Sequence, residues 1–244
     1  MANPRQLAHP PLREALIDIQ LAEVLPLQSL ESLEKLGLSG LVRKQQISFG
    51  KFEVKIGPPP HQAVNQSVEN LGWRYESTDG SKVVQIRRNG ITYSIVRDYR
   101  DWPEILGTTR LVWQQYLNTA GRAITVARVA VRYINVLEFP PVVELNDYLT
   151  SAPQIPAGLP QTLDNFFQRV VVPFQGNTRA IITQALEATS QPGTRVILDI
   201  DVFTEQLAVQ GDSPDLWSLI DGFRTIKNAI FFSSVTESAL ERYA

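Results

Sequence analysis

Along residues 14–21 apolar and polar positions alternate, with Ala15, Ile17, Ile19 and Leu21 on one side and Glu14, Asp18 and Gln20 on the other. Period two marks a strand with one buried face. Leu30 and Leu33 stand at helical spacing, and Gly37 is a stop, so the pattern predicts a short helix over 27–36. Alternation returns over 51–56, where Phe52, Val54 and Ile56 share a side. Gly57-Pro58-Pro59-Pro60 ends that strand, because proline cannot donate to a ladder.

Residues 73–96 carry the densest strand signal. Positions 73–77 alternate, Asp79-Gly80 reads as a turn, and VVQIRR and ITYSIV flank Asn89-Gly90. That dipeptide suits a two-residue hairpin turn, whose central residues need positive φ. With that turn Arg88 faces Ile91, Ile86 faces Tyr93 and Val84 faces Ile95. Ile86 and Tyr93 then belong to a core side, and Gln85, Arg87, Thr92 and Ser94 to a polar side, as in an antiparallel sheet with one solvated face. A long helix is predicted over 102–117, with Asp101 as its cap and Pro103 in its first turn. Its apolar stripe is Ile105, Leu111, Val112, Trp113 and Tyr116.

The second half repeats this order. Residues 126–137 alternate, with Val129, Val131 and Tyr133 opposite Arg128 and Arg132; 142–149 reads as a short helix; 167–174, 179–186 and 195–202 are strand candidates. A final helix opens after Ser213-Pro214 and runs through Trp217, Leu219, Ile220, Phe223, Ile226 and Ile230. Adjacent Phe231 and Phe232 point to different sides, so this helix needs cover on more than one side, from the first-half helix or a second subunit. Ser234-Val235-Thr236-Glu237 reads as a capping box that restarts a short helix, a clasp on the long one. The expectation is an α+β fold of two β-α-β(3–4)-α units, 1–122 and 123–244, in mainly antiparallel sheets with helices on one face. The halves are separate or form one continuous domain. The order resembles the TATA-binding-protein-like or helix-grip arrangement, a likeness of fold that says little about function.

The segments PPLREALIDIQ, GWRYESTDGSKVVQIRRNGITYSIV, Tyr99 through Trp102, Arg132-Tyr133-Ile134-Asn135, Asp147-Tyr148-Leu149 and FFSSVTE together resemble a sporadically distributed prokaryotic family of uncharacterised proteins. The resemblance spans nearly the whole chain. It implies no reaction, cofactor or catalytic residue, and patchy distribution of this kind accompanies mobile systems such as toxin–antitoxin or defence loci.

Composition narrows the chemistry. The chain has 244 residues, 43% hydrophobic and 20% charged, with no cysteine, so disulfides, thiolate metal sites and thiol nucleophiles are excluded. No apolar run approaches the roughly 20 residues of a membrane helix, and the first residues lack a signal-peptide core. Cytoplasmic location and no membrane contact are the expectation. Residues 1–122 carry 15 Lys/Arg and 12 Asp/Glu, and residues 123–244 carry 8 and 13. Neither half has the basic footprint of a dedicated nucleic-acid binder.

The two histidines, His9 and His61, lie beside prolines in predicted loops. A serine triad would need one of them as base, and no G-x-S-x-G turn accompanies them. Dinucleotide and P-loop glycine patterns are absent, and no cofactor is expected. Asp199 and Asp201, two apart in VILDIDV, project from one strand face. Such a pair holds Mg²⁺ or shares acid–base work, or else pairs with arginines on neighbouring strands. Trp73, Tyr75 and Tyr93 fall on core faces rather than on a base-stacking surface.

The polar side of the combined sheet collects Lys51, Lys55, Arg87, Arg128, Arg132, Arg169 and Arg195, with Asp18, Glu53, Asp199 and Asp201. It is either a solvated face laced with ion pairs or a receiving surface for a partner. Arg132 and Asn135 suit either role: cross-strand pairing and backbone bonding, or ligand contact. Two functions follow. The first is a non-enzymatic module binding a macromolecule, protein rather than nucleic acid, through the open sheet face, with homo-oligomerisation open. The second is a metal-dependent enzyme on a phosphate-containing or nucleic-acid substrate, built on Asp199 and Asp201. A converging pocket separates them.

Overall fold

In chain order the elements are β1 (Leu12–Leu21), α1 (Leu27–Glu31), β2 (Leu41–Ile56), β3 (Gln62–Ser77), β4 (Lys82–Arg87), β5 (Gly90–Ile95), α2 (Trp102–Ala120) and β6 (Thr125–Phe139). A 3-10 turn (Leu145–Asp147), β7 (Phe167–Pro173), β8 (Thr178–Glu187), β9 (Thr194–Thr204), β10 (Val209–Gln210), α3 (Pro214–Ser234), α4 (Glu237–Leu240) and a closing 3-10 turn (Glu241–Tyr243) complete the chain. The computed structural model describes residues 2–31, 40–56, 62–121, 123–141, 144–190 and 192–244; of residues 31, 43, 51–56 and 62–67 it describes the backbone alone. The predicted positions Leu33, Gly37, Gly57–Pro60, His61 and Val142 lie outside the described residues, as do the side chains of Lys51, Phe52, Glu53, Val54, Lys55 and Ile56.

The ten strands among the described residues join one antiparallel sheet of order β2-β3-β4-β5-β1-β6-β9-β8-β7, with β10 beside β6. The fold is α+β with a large open sheet. β1 and β6 meet at its middle, Ile17 opposite Val131 and Asp18 opposite Ala130. The alternation seen in sequence sets which face is covered: Ala15, Ile17, Ile19, Val129, Val131, Leu198 and Ile200 are all fully buried. Over this face lie α2, on β5 and β1, and α3, on β6 and β9. The two helices touch through Trp102, whose Nε1–H donates to Asp221 Oδ1 at 2.7 Å.

Asp101 caps α2 through its carboxylate, which accepts from the Glu104 N–H at 2.9 Å, and Pro103 occupies the first turn. Ile105, Val112, Trp113 and Tyr116 are buried, but Leu111, expected in the same stripe, is 67% exposed. The buried line runs through 102, 105, 109, 112 and 116, and a helix advances 100° per residue, so position 111 falls outside it.

The β4–β5 hairpin corrects the expected register. Ile86 faces Ile91 and Val84 faces Tyr93, two residues from the expected pairing, and the turn is Arg88-Asn89. A shift of two preserves the faces: Ile86 and Tyr93 are in the core, Arg87 and Thr92 on the other side. The cause is tertiary. Leu21 N–H donates to Asn89 O and Leu25 N–H to Arg88 O, each at 2.8 Å, and Tyr116 Oη donates to Arg87 O at 2.8 Å. Gly90 thereby becomes a strand residue against β1, with φ of +139°.

β2 and β3 extend well beyond the predicted 51–56 and 73–77. Since β4 pairs only with residues 72–76 of β3, the outer part of the β2–β3 hairpin pairs only with itself. The predicted helix at 142–149 is, where described, a single 3-10 turn. At the C-terminus the cap of the last helix is Thr236, whose Oγ1 accepts from Ala239 N–H at 3.3 Å; Ser234 instead bonds back to Ile230 O.

Candidate functional site

Cross-strand register brings the sequence candidates together on the uncovered face. Arg132 lies opposite Asp201, Ile134 opposite Asp199, and Asp18 opposite both Ala130 and Thr92. Arg132 grips Asp199 at two points, Nε to Oδ1 at 2.8 Å and Nη2 to Oδ2 at 2.6 Å. Asp18 is the hub of a second cluster: Oδ1 accepts from Arg87 Nη2 and Thr92 Oγ1, both at 2.6 Å, and Oδ2 from Gln20 Nε2 at 2.7 Å and Arg128 Nη1 at 3.0 Å. Arg128 also reaches towards Asp201 Oδ2 at 3.6 Å and lies 5.1 Å over the Phe203 ring.

Three arginines therefore meet three aspartates at the centre of the face, which is charge-matched rather than basic. Arg195, further out, pairs with Glu138 at 2.8 Å. Arg169 stands apart: it is exposed on β7 and has no ion pair among the described residues. Asn135 does not belong to the face. It is buried on the helix side of β6, where its Nδ2 donates to Leu198 O at 3.0 Å, the backbone-bonding role. His9 is exposed.

The carboxylates differ in what they hold. Asp199 is fully engaged by Arg132. Burial pushes the Asp201 carboxyl above its ordinary range, the nearby arginines oppose this, and its Oδ1 is buried with no hydrogen-bond partner. Removing a group that neutralises two arginines costs more than removing one already half-orphaned. Asp18→Ala is expected to lower stability by about 2–3 kcal/mol, whereas Asp201→Asn changes it by less than about 0.5 kcal/mol. Urea unfolding of both variants checks the contrast, and equal losses would contradict the hub role of Asp18.

A further charged group, absent from the sequence candidates, lies in the core. Lys227 of α3 is buried, its Nζ 3.7 Å from the centroid of the Tyr133 ring, and Tyr133 Oη is 2.9 Å from Tyr99 Oη. Burial, helped by Arg224, lowers its pKa to about 7. The signal was present, because 216, 220, 223, 227 and 230 are consecutive positions of one helical stripe. Unfolded lysine holds its proton to about pH 10. The unfolded chain therefore binds more protons than the folded one between about pH 7 and 10, and stability rises with pH across that window. Lys227→Met is expected to remove this rise and to lift the melting temperature at pH 7 by about 3 °C or more. Thermal melts at several pH values test it.

On the helix side a shallow groove of about 460 Å³ lies between α2 and the start of α3, lined by Gly107, Arg110, Leu111, Trp113, Gln114 and Trp217 among others. Its charged members are Arg110 and Asp212, and it is remote from Asp199 and Asp201, on the opposite side of the sheet. Among the described residues no three His, Asp or Glu side chains are grouped to hold a metal ion, and no helix is long and apolar enough to cross a membrane. Comparison with protein-family models and with curated sequences returns no match.

Proposed function

We propose that the chain is a non-enzymatic interaction module that binds a protein partner through the open face of its sheet. The observation that carries this is the composition of that face. Half-buried Leu16, Ile134, Val136, Ile181 and Ile197 interleave with arginine–aspartate pairs that already neutralise one another. Protein interfaces combine apolar centres with arginine in this way, whereas phosphate-binding surfaces hold arginines in excess. The two-point Arg132–Asp199 pair weighs against the metal-dependent alternative, since a divalent cation would have to displace it.

An internal duplication supports a shared binding surface in this reading. In each half the first strand pairs with the last long strand, β1 with β5 and β6 with β9, and a long helix comes after, preceded in the second half by the two-residue β10. That order favours the TATA-binding-protein-like arrangement over the helix-grip one, and the resemblance to the sporadic prokaryotic family adds a mobile defence or toxin–antitoxin setting.

A photo-crosslinking residue at Gln85, on the open face, and another at Gln114, on exposed α2, test the reading in the native host. One protein should be captured from Gln85 and not from Gln114. Nucleic acid captured from Gln85, or Mg²⁺-dependent phosphoester hydrolysis lost in Asp199→Asn, would replace it.

A further inference from the structure

The outer edge of the sheet says how a partner strand would be received. β7 ends the strand order, and its apolar side chains are uncovered: Phe167 is 71% exposed and Val171 50%. Backbone bonds fix which polar groups look outward. Phe174 N–H donates to Thr178 O at 2.8 Å and Leu186 N–H to Phe166 O at 3.2 Å. Antiparallel partners alternate between bonded and non-bonded pairs, so the even positions of β7 bond β8. The N–H and C=O groups of Phe167, Arg169 and Val171 therefore point away from the sheet. Pro173, the next outward position, has no N–H, so an added ladder would stop there.

Open, apolar edges accept another strand unless charge or proline guards them. Here the charge also indicates which strand fits. β7 and β8 hold two arginines, Arg169 and Arg179, and one acid, Glu187 at the end of β8, which Arg13 already engages at 2.7 Å. Arg169 and Arg179 are exposed and have no ion pair among the described residues. Register places them on the open face with Val171: Arg169 faces Thr183, which faces Asp199, and Arg179 faces Phe203. A second copy paired through β7 would set two such net-positive edges against each other, and like charges across strands repel. An acidic strand is complementary.

We infer that β7 is a strand-addition edge for an extended acidic segment of a protein partner, which places Asp or Glu opposite Arg169 and apolar residues opposite Phe167 and Val171. The inference rests on the protein-binding reading above and adds its docking mode. Backbone bonds to the outward groups supply affinity, and the alternate side chains supply selectivity.

The test uses the full chain and a fluorescein-labelled peptide with a central glutamate, valines two residues to either side and threonines between, against a twin with lysine in place of glutamate. Wild type should bind the glutamate peptide and discriminate against its twin. Val171→Pro removes an outward N–H and no bond to β8, so it should weaken binding about tenfold or more at an unchanged melting temperature. Arg169→Glu keeps the backbone and should reverse the preference between the peptides; it decides the matter if Val171→Pro unfolds. No binding by wild type, equal binding of both peptides, or full binding by a folded Val171→Pro would overturn the inference. So would a dimer in light scattering that Val171→Pro splits, since the edge would then belong to a second copy. If the peptide fails while Gln85 still captures a protein, only the edge assignment falls; if both fail, the protein-binding reading falls with it.

Discussion

Removing residues 233–244 is expected to cost more than about 5 kcal/mol, enough to unfold a domain whose whole stability is of order 5–15 kcal/mol. The segment is short, but Val235, Ala239 and Leu240 are fully buried. Re-exposing Leu240 and Val235 alone costs about 1.5–3 kcal/mol each. Their loss also breaks the isolated bridge that Leu149, itself buried, forms with Val235. Several tethers go at once. Thr236 Oγ1 donates to Asp147 O at 2.6 Å, Tyr243 Oη accepts from Glu138 N–H at 2.8 Å, and His9 N–H donates to Tyr243 O at 3.2 Å. The terminus thus joins the N-terminal segment, the end of β6 and the 3-10 turn after it. Circular dichroism melts of the truncated chain check this, with Leu240→Ala, expected to lose about 2–5 kcal/mol, as the milder variant. An unchanged melting temperature would show the segment to be a dispensable tail.

Gly90→Ala is the second large effect. A Cβ at Gly90 would lie 2.0 Å from the Ile19 carbonyl oxygen and 2.9 Å from Gln20 Cα. Both are backbone atoms of β1, the strand at the middle of the sheet, so neither can swing aside as a long side chain would. The backbone there has φ of +139°, a conformation that costs an alanine about 1–3 kcal/mol even without the clash. Together these predict a loss of about 4 kcal/mol or more. Gly107→Ala is the matched control. It lies inside α2 with nothing within 4 Å of the added carbon, and alanine there should stabilise by about 0.5–1 kcal/mol. Urea midpoints of the two variants should move in opposite directions.

Amphipathic period was enough to locate β1, α2, β6, β8, β9 and α3, because each buries a face and the side-chain repeat reports it directly, whereas β7 buries neither face. It also assigned faces correctly where it paired residues wrongly. At Asn89-Gly90 the dipeptide suggests a turn, but hydrogen bonds from β1, the following loop and Tyr116 hold Arg88-Asn89 in the bend, and local propensity has no access to those partners. The lengths of β2 and β3 were hidden for a related reason. Over 41–50 and 62–71 the pairing is between the two strands themselves, and a ladder of backbone bonds leaves no mark on side-chain pattern.

For the candidate surface, period two alone assigns Asp18, Arg87, Arg128, Arg132, Asp199 and Asp201 to one open face. Which charge neutralises which comes from the assembled sheet, because Asp18 and Arg87 meet across 69 positions and Arg132 and Asp199 across 67. It also gave Asn135 its bond to the Leu198 carbonyl and left Arg169 exposed. Whether a strand is central or at an edge depends on the order of all ten, which no local pattern encodes. β7 and β9 look alike as sequence, and their places in the sheet leave one buried between neighbours and the other with a row of outward backbone groups.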